Sequence, residues 1–144
     1  MYSRINLSRT NYALERPNFD AKLMTNFDAH GLQMIYRDYC LHKKFPSVMP
    51  LFIEEFHYPQ STLIGYTYKD KLVGYTLMFT YNLQNVAAAQ FAWDYKTPWL
   101  RIGIESIKHL CAYYKAESYE YIYLGGDEPY KRQIEGYELC GPMS

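Results

Sequence analysis

The segment Ala87-Ala88-Ala89-Gln90-Phe91-Ala92-Trp93-Asp94 decides how the rest of the chain is interpreted. It is apolar and has the length of a buried strand, and the polar connection 95–99 follows it. A helix is predicted over about 100–115, and a second strand over 119–124, closed by Gly125-Gly126-Asp127. A strand, a helix and a returning strand of this size form a βαβ unit, whose right-handed crossover makes its two strands parallel.

The predicted helix has one apolar stripe with the i, i+4, i+7 spacing of a packed face. The stripe comprises Leu100, Ile104, Ile107, Cys111 and Tyr114. We expect this face to pack on the sheet, while Glu105 and Lys108 on the opposite face contact solvent. In such units a ligand usually lies at the carboxyl ends of the strands, beside the helix N-terminus, which here means residues 93–103.

Length and composition indicate a single globular domain over residues 1–144, with 49% apolar and 21% charged residues. The net charge of zero argues against nucleic acid as the main partner, because neutralising phosphates requires a basic face. No apolar run approaches the ~20 residues of a membrane span. The odd number of widely spaced cysteines, three in all, and an opening segment unlike a secretory signal lead us to expect a cytoplasmic protein.

The sequence before this unit predicts a strand, then helices, then an antiparallel meander. The first strand is expected around residues 5–7, and a helix from about Asn18 or Asp20 that resumes after Gly31. Residues 51–56 are interpreted as a short helix or an edge segment. From residue 62 the period changes to two, and three strands joined by short turns run to Asp94. The predicted fold class is therefore α/β with a mixed sheet, an antiparallel meander followed by a βαβ crossover.

The order of these elements and several short motifs resemble the GNAT acyltransferase superfamily. A closer resemblance is to the catalytic half of the bacterial arginyl- and leucyl-tRNA–protein transferases. The motifs are Phe91-Ala92-Trp93-Asp94-Tyr95, Ile102-Gly103, Tyr119-Glu120-Tyr121-Ile122-Tyr123-Leu124-Gly125, and Tyr130-Lys131 before Gly136-Tyr137-Glu138-Leu139. Acetyl-CoA-binding members usually carry Gln/Arg-x-x-Gly-x-Gly/Ala at the helix start. Here Gly103 is the one glycine at that place, and Arg101 stands where an earlier glycine would be.

The resemblance implies a GNAT-like fold and transfer of an acyl or aminoacyl group to an amine. The donor would be an acyl-CoA such as acetyl-CoA, or an aminoacyl-tRNA, and no metal is expected. The acceptor would be a small-molecule amine or the N-terminal amine of a protein. Transfer RNA would enter only as a donor, no membrane partner is expected, and assembly as a homodimer is left open.

Acyl transfer to an amine needs an oxyanion site, an acid and a base, and the sequence offers candidates for each. A backbone N–H near Ala92 or Trp93 would stabilise the tetrahedral oxyanion. Tyr130 would protonate the leaving group, and Asp94 would be the base, with Glu54 and Glu55 as alternatives. The expected donor contacts are Ala92, Trp93, Arg101, Ile102, Gly103, Ile104 and Lys131.

Each of these residues also has a purely structural interpretation. Tyr130 is one of 17 tyrosines and could serve packing alone. Asp94 could cap a turn, and Gly103 could allow close helix–strand packing. The corresponding alternative function is a non-catalytic protein of the same fold that binds a protein or small ligand through a tyrosine-rich cleft. The four histidines form no His-Glu-x-x-His motif, so a zinc site is not expected.

Overall fold

The computed structural model describes residues 2–25, 29–44, 58–126 and 128–141. Its strands form one seven-stranded sheet in the order β2-β3-β4-β5-β6-β1-β7. The strands are β1 (Tyr2–Asn6), β2 (Asp20–Leu23), β3 (Ser61–Tyr68), β4 (Lys71–Thr80), β5 (Asn85–Trp93), β6 (Tyr121–Gly126) and β7 (Tyr137–Cys140). The α-helices are α1 (Ala29–His42) and α2 (Ile102–Ala116). Short 3-10 helices cover Leu7–Arg9, Pro98–Leu100 and Pro129–Gln133.

The predicted fold class is confirmed. Strands β3, β4 and β5 form the antiparallel meander, and β5 pairs with β6 in parallel across the α2 crossover. The polar turn at Lys69 and Asp70, both with positive φ, joins the first two strands of the meander. The first helical turn is shifted relative to the prediction, because Leu100 lies in a 3-10 turn and α2 begins at Ile102.

The N-terminal third differs from the prediction in two ways. The strand expected around residues 5–7 exists as β1, but it is inserted between β6 and β7 and is antiparallel to both. The helix expected from Asn18 or Asp20 is wrong at its start, because Asp20–Leu23 form β2 and pair with β3. The outer edge of β3 offers unpaired backbone groups, and pairing with them decides the conformation of so short a segment. The segment predicted over 51–56 lies outside the described residues.

The sheet is covered on both faces, which explains why the central strands have no polar side. One hydrophobic cluster lies between the sheet and α2, and a second cluster packs α1 against β4 and β5. In β4 a run of six residues from Val73 to Met78 is buried, as expected for a strand between two layers. The period of two predicted from residue 62 therefore describes side-chain direction and not burial.

The apolar stripe of α2 packs on the sheet as predicted. Its five residues are all at most 7% exposed: Leu100, Ile104, Ile107, Cys111 and Tyr114. The opposite face, however, is not open to solvent, because the 10–16 segment crosses it. Glu105 is only 8% exposed, so its predicted exposure is wrong, and its Oε2 lies 2.7 Å from the Nη1 atom of Arg16.

Further polar contacts tie the 10–16 segment along α2. The Nδ1 atom of His109 lies 3.2 Å from the carbonyl oxygen of Leu14. Lys115 donates from Nζ to the carbonyl of Thr10, and the ammonium of Lys108 lies over the ring of Tyr12. Because these contacts are spread over the length of α2, the segment holds the helix against the sheet from outside.

Replacing Ile107, which is 3% exposed, by aspartate should lower the free energy of unfolding by about 3–5 kcal/mol. The carboxylate would be buried in the α2 cluster without a partner. The matched control is Leu83→Asp, because Leu83 is 92% exposed and its replacement should change stability by less than about 0.5 kcal/mol. Urea unfolding measures both, and equal stability of the two variants would contradict the βαβ packing.

Glu105→Lys should also destabilise the protein, by about 3–5 kcal/mol, because it places a second cation against the buried Arg16 guanidinium. The side chains of Arg16 and Glu105 are only 8% and 11% exposed, so water cannot screen the repulsion well. Glu117→Lys is the control, since Glu117 is exposed at the C-terminal end of α2. Unchanged unfolding of Glu105→Lys would show that the 10–16 segment does not hold α2 in solution.

Candidate active site

The two parallel strands of the crossover pair only at their beginnings. The pairs are Asn85↔Tyr121, Val86↔Ile122 and Ala87↔Tyr123, after which β5 continues to Trp93 and β6 to Gly126 without pairing to each other. Beyond Ala87, β5 pairs only with β4, and the end of β6 pairs only with β1. The sheet is therefore open between the carboxyl ends of β5 and β6, which is where ligands bind in α/β sheets.

A β-bulge accounts for the divergence of the strands. In the β4–β5 pairing, Leu77 faces Gln90 and Met78 faces Ala88, so Ala89 is an extra residue without an opposite partner. A bulge bends its strand and increases its twist. This one follows directly after the last parallel pair, so it turns β5 away from β6. The sequence indicated it only by the short run of small residues Ala87–Ala89, which does not distinguish a bulge from a regular strand.

The backbone amides of Ala92 and Trp93, the two predicted oxyanion donors, point in opposite directions. The amide of Asp94, directly after β5, donates to the carbonyl of Val73 in β4 at 2.7 Å. These two residues are therefore a hydrogen-bonded pair of the antiparallel ladder. Amides alternate along a strand, and Ala92 therefore directs its N–H to Tyr75 in β4. Trp93 directs its N–H the other way, into the open gap. Phe91, which the sequence reasoning missed, has the same direction.

The indole of Trp93 lies between the ends of the two helices. A Cβ atom built on Gly103 would be 3.0 Å from the Cη2 atom of Trp93, so this glycine accommodates the indole edge beside the first turn of α2. The ring also packs on Tyr39 of α1, with centroids 4.7 Å apart, and on Phe91 at 5.2 Å. Next to it, the rings of His42 and Tyr95 stack at 4.1 Å. Tyr39, which the sequence did not single out, thus belongs to the site.

The predicted donor-binding residues at the start of α2 present main-chain groups more than side chains. Ile102 and Ile104 are 3% and 7% exposed, and their side chains belong to the core. Arg101 is exposed and has φ of 52° and ψ of 43°, a left-handed conformation. Its carbonyl accepts from the amide of Glu105 at 2.9 Å. The amides of residues 102–104 precede that first helical bond, so they are the groups that an anion could use.

Tyr130 lies in the 3-10 helix that follows β6, and its hydroxyl is buried. The oxygen has no hydrogen-bond partner among the residues that the structure describes. Burial raises the pKa of this phenol above its ordinary value, and Glu128 and Tyr39 raise it further. The hydroxyl therefore keeps its proton at neutral pH and can donate it in a hydrogen bond. A buried hydroxyl without a partner destabilises the fold, which is unusual unless a ligand supplies the partner.

Lys131 is 2% exposed and its ammonium is bound within the protein. Its Nζ donates to the carbonyl of Leu124 at 3.0 Å and to that of Gly126 at 3.3 Å, and lies 3.4 Å from the carboxylate of Glu128. These contacts tie the end of β6 to the 3-10 helix that carries Tyr130. Lys131 therefore helps to position Tyr130, while its direct contact with a donor stays a prediction.

Asp94 closes the turn after β5. Its Oδ1 accepts from the amide of Lys96 at 2.9 Å, and its carbonyl accepts from the hydroxyl of Thr97 at 3.1 Å. This is the structural arrangement expected of an aspartate that starts a turn. The catalytic role of Asp94 stays a prediction. Glu54 and Glu55, the alternative bases, lie outside the described residues.

Within the described ranges, no group of three or more His, Cys, Asp or Glu side chains is arranged to hold a metal ion. In the same residues, no helix has both the length and the apolar character that crossing a membrane requires.

No protein-family profile and no curated protein matched the sequence. Solved structures do resemble it. A ribosomal-protein-alanine N-acetyltransferase from Brucella melitensis matches with a TM-score of 0.67 and 13% identity, over 89% of this chain and 96% of the other. A GNAT family acetyltransferase from Elizabethkingia anophelis with acetyl-CoA bound matches with a TM-score of 0.55 and 13% identity, over 82% and 71% of the two chains.

A third similar structure is a domain from Agrobacterium fabrum, described as the C-terminal domain of a lysylphosphatidylglycerol synthetase. It has a TM-score of 0.60 and 10% identity, over 86% of this chain. The chain spans only 45% of the length of that domain. At these identities the similarity is one of backbone arrangement. The mixed sheet, the α2 crossover and the structural matches together show that this chain has the GNAT fold.

Proposed function

We propose that this protein is an acyltransferase that moves an acyl group from an acyl-CoA, such as acetyl-CoA, to an amine. One observation carries the proposal: β5 and β6 separate after Ala87, and the amide of Trp93 points into the gap beside the first turn of α2. We expect the extended pantetheine arm of the donor to lie in this gap, with the CoA pyrophosphate on the amides at the start of α2. The acetyl-CoA complex of the Elizabethkingia protein supports this donor class.

The chemistry follows from where these groups lie. The neutral amine attacks the thioester carbonyl carbon, a C–N bond forms, and the negative charge develops on the carbonyl oxygen. The amide of Trp93 donates to that oxygen. The C–S bond then breaks, and the departing thiolate takes the proton of the Tyr130 hydroxyl. Asp94 takes the proton that the amine loses, directly or through water.

The acceptor in this proposal is a small-molecule amine or the N-terminal amine of a protein. The Brucella structure carries the name of a ribosomal-protein-alanine N-acetyltransferase, which supports the second kind. The rings of Tyr39 and Trp93 pack together at the open end of the gap. Such rings bind an ammonium group through their faces, so an acceptor amine can bind here without an acidic pocket.

Two other functions are compatible with the same fold. An aminoacyl-tRNA donor would suit the resemblance to the tRNA–protein transferases, but the net charge of zero offers little attraction for RNA. A non-catalytic binding protein is favoured by one specific observation. The indole of Trp93 covers the face of Gly103, where a more glycine-rich turn would leave space for a phosphate. Binding of CoA compounds and of aminoacyl-tRNA distinguishes the acyl-CoA enzyme, the aminoacyl-tRNA enzyme and the non-catalytic binding protein.

Acetyl-CoA at about 100 times its dissociation constant should stabilise the folded protein by about 2.7 kcal/mol. For a domain of this size the melting temperature would rise by about 5–10 °C. Gly103→Val should abolish this rise, because the valine displaces the indole edge and crowds the amides of the α2 start. Thermal unfolding with acetyl-CoA, longer acyl-CoAs and free CoA measures the effect.

The control for this experiment is Gly141→Val, since a Cβ on Gly141 meets no other atom within 4 Å. It should keep both the fold and the response to acetyl-CoA, and circular dichroism should show that Gly103→Val is folded. If no CoA compound stabilises the wild type, the CoA donor is wrong. Salt-dependent binding of aminoacyl-tRNA would then favour the aminoacyl version.

Tyr130→Phe should lower turnover by about 10²-fold, the lower end for a positioned acid, because the raised pKa makes this phenol a weak acid. The response of the melting temperature to acetyl-CoA should not change. The free energy of unfolding should stay the same or rise by up to about 1 kcal/mol, because the variant removes a buried hydroxyl that has no partner among the described residues. Steady-state kinetics and urea unfolding test the two halves, and a loss of stability would make the hydroxyl structural.

A further inference from the structure

Lys43 holds its amine over two aromatic rings at the open end of the sheet. Its Nζ lies 5.5 Å from the ring centre of Trp93 and 5.8 Å from that of Tyr39. Lys43 directly follows α1, and its amide still donates to the carbonyl of Tyr39 at 3.0 Å, so it continues the last helical turn. Side chains on a helix tilt toward its N-terminus, which brings Lys43 over Tyr39 one turn earlier.

This contact differs from the other lysine–ring contacts of the described residues. Those contacts each involve one ring, and three of them join sequence neighbours: Lys69 with Tyr68, Lys96 with Tyr95 and Lys131 with Tyr130. Lys43 instead engages rings from α1 and from the end of β5, which lie far apart in the sequence. The two rings form a small aromatic site for an alkylammonium group, and Lys43 occupies it.

This aromatic site lies beside the proposed reaction centre, because Trp93 belongs to both. Trp93 contributes its ring to the ammonium site and its backbone amide to the gap between β5 and β6. Lys43 is exposed, so its four-carbon side chain is free to move from the ring face toward the gap. An acyl group whose carbonyl is bound by the Trp93 amide would therefore be next to this amine.

We propose that the ε-amine of Lys43 is itself an acyl acceptor, so that the protein acylates this lysine. The inference rests on the proposed acyltransferase function. The neutral amine of Lys43 attacks the thioester carbon, its C–N bond forms while the C–S bond breaks, and the proton released by nitrogen leaves with the thiolate as free CoA. The products are Nε-acyl-Lys43 and CoA. Acylation removes the charge that binds the two rings, and the aromatic site is then open to another amine.

The test is a time course of the folded 144-residue protein with acetyl-CoA at pH 8, followed by peptide mass spectrometry of each lysine. Lys44 is the internal control, because it is the next residue and has the same chemistry, but its φ of 58° places it beyond the helix. Lys43 should be acetylated at least tenfold faster than Lys44 or Lys96. An excess of free CoA should slow Lys43 alone. Acetic N-hydroxysuccinimide ester, which has no CoA part, should modify Lys43 and Lys44 at similar rates.

Variants separate this inference from the function on which it rests. Lys43→Arg should lose the fast acetylation and keep the stabilisation by free CoA, whereas Lys44→Arg should keep both. Equal or slower acetylation of Lys43 than of Lys44 overturns the inference. If an added alkylamine is acetylated in that experiment, the acyltransferase function stands. If no CoA compound stabilises the protein and no amine is acetylated, the proposed function fails together with the inference.

Discussion

The short parallel pairing of β5 and β6 is the constraint on which the rest of the structure depends. The crossover through α2 brings the two strands together, but only from Asn85 to Ala87 do they bond to each other. The bulge at Ala89 then turns β5 outward, and each strand completes its hydrogen bonds on its other side, β5 with β4 and β6 with β1. An open gap in the middle of a sheet is stable only because both strands have such a second neighbour.

The helix that spans this gap has to be held in place from both sides. Its apolar stripe packs on the sheet, and the 10–16 segment covers its outer face through the Arg16–Glu105 pair and the carbonyl contacts of His109 and Lys115. A buried ion pair contributes little net stability when its desolvation is counted, but it allows one arrangement and disfavours others. The first turn of α2 is thus fixed beside Trp93, where the proposed donor would place its phosphates.

The open end of the sheet is aromatic, and its rings influence which groups can bind there. Tyr39, Trp93 and Tyr130 come from three different elements and approach one another at the carboxyl ends of β5 and β6. Where a bound donor and acceptor exclude water from this site, the amide of Trp93 would act more strongly on a developing charge than it would in water. The same site binds cations through ring faces, which is how Lys43 is held. An acceptor amine and a lysine of the protein would therefore compete for the same place.

The sequence by itself determined the crossover and the layer that it forms. The i, i+4, i+7 stripe of α2, the apolar β5 and the change of period after residue 62 depend on contacts that neighbours in the chain already imply, and these predictions were confirmed. Only the tertiary structure decided the rest. Asp20–Leu23 became a strand because β3 offered an edge, β1 entered between β6 and β7, and Glu105 was buried because a distant segment crossed α2. The bulge at Ala89 and the meeting of Tyr39, Lys43 and Trp93 likewise depend on pairing between distant residues, which the local pattern of side chains does not encode.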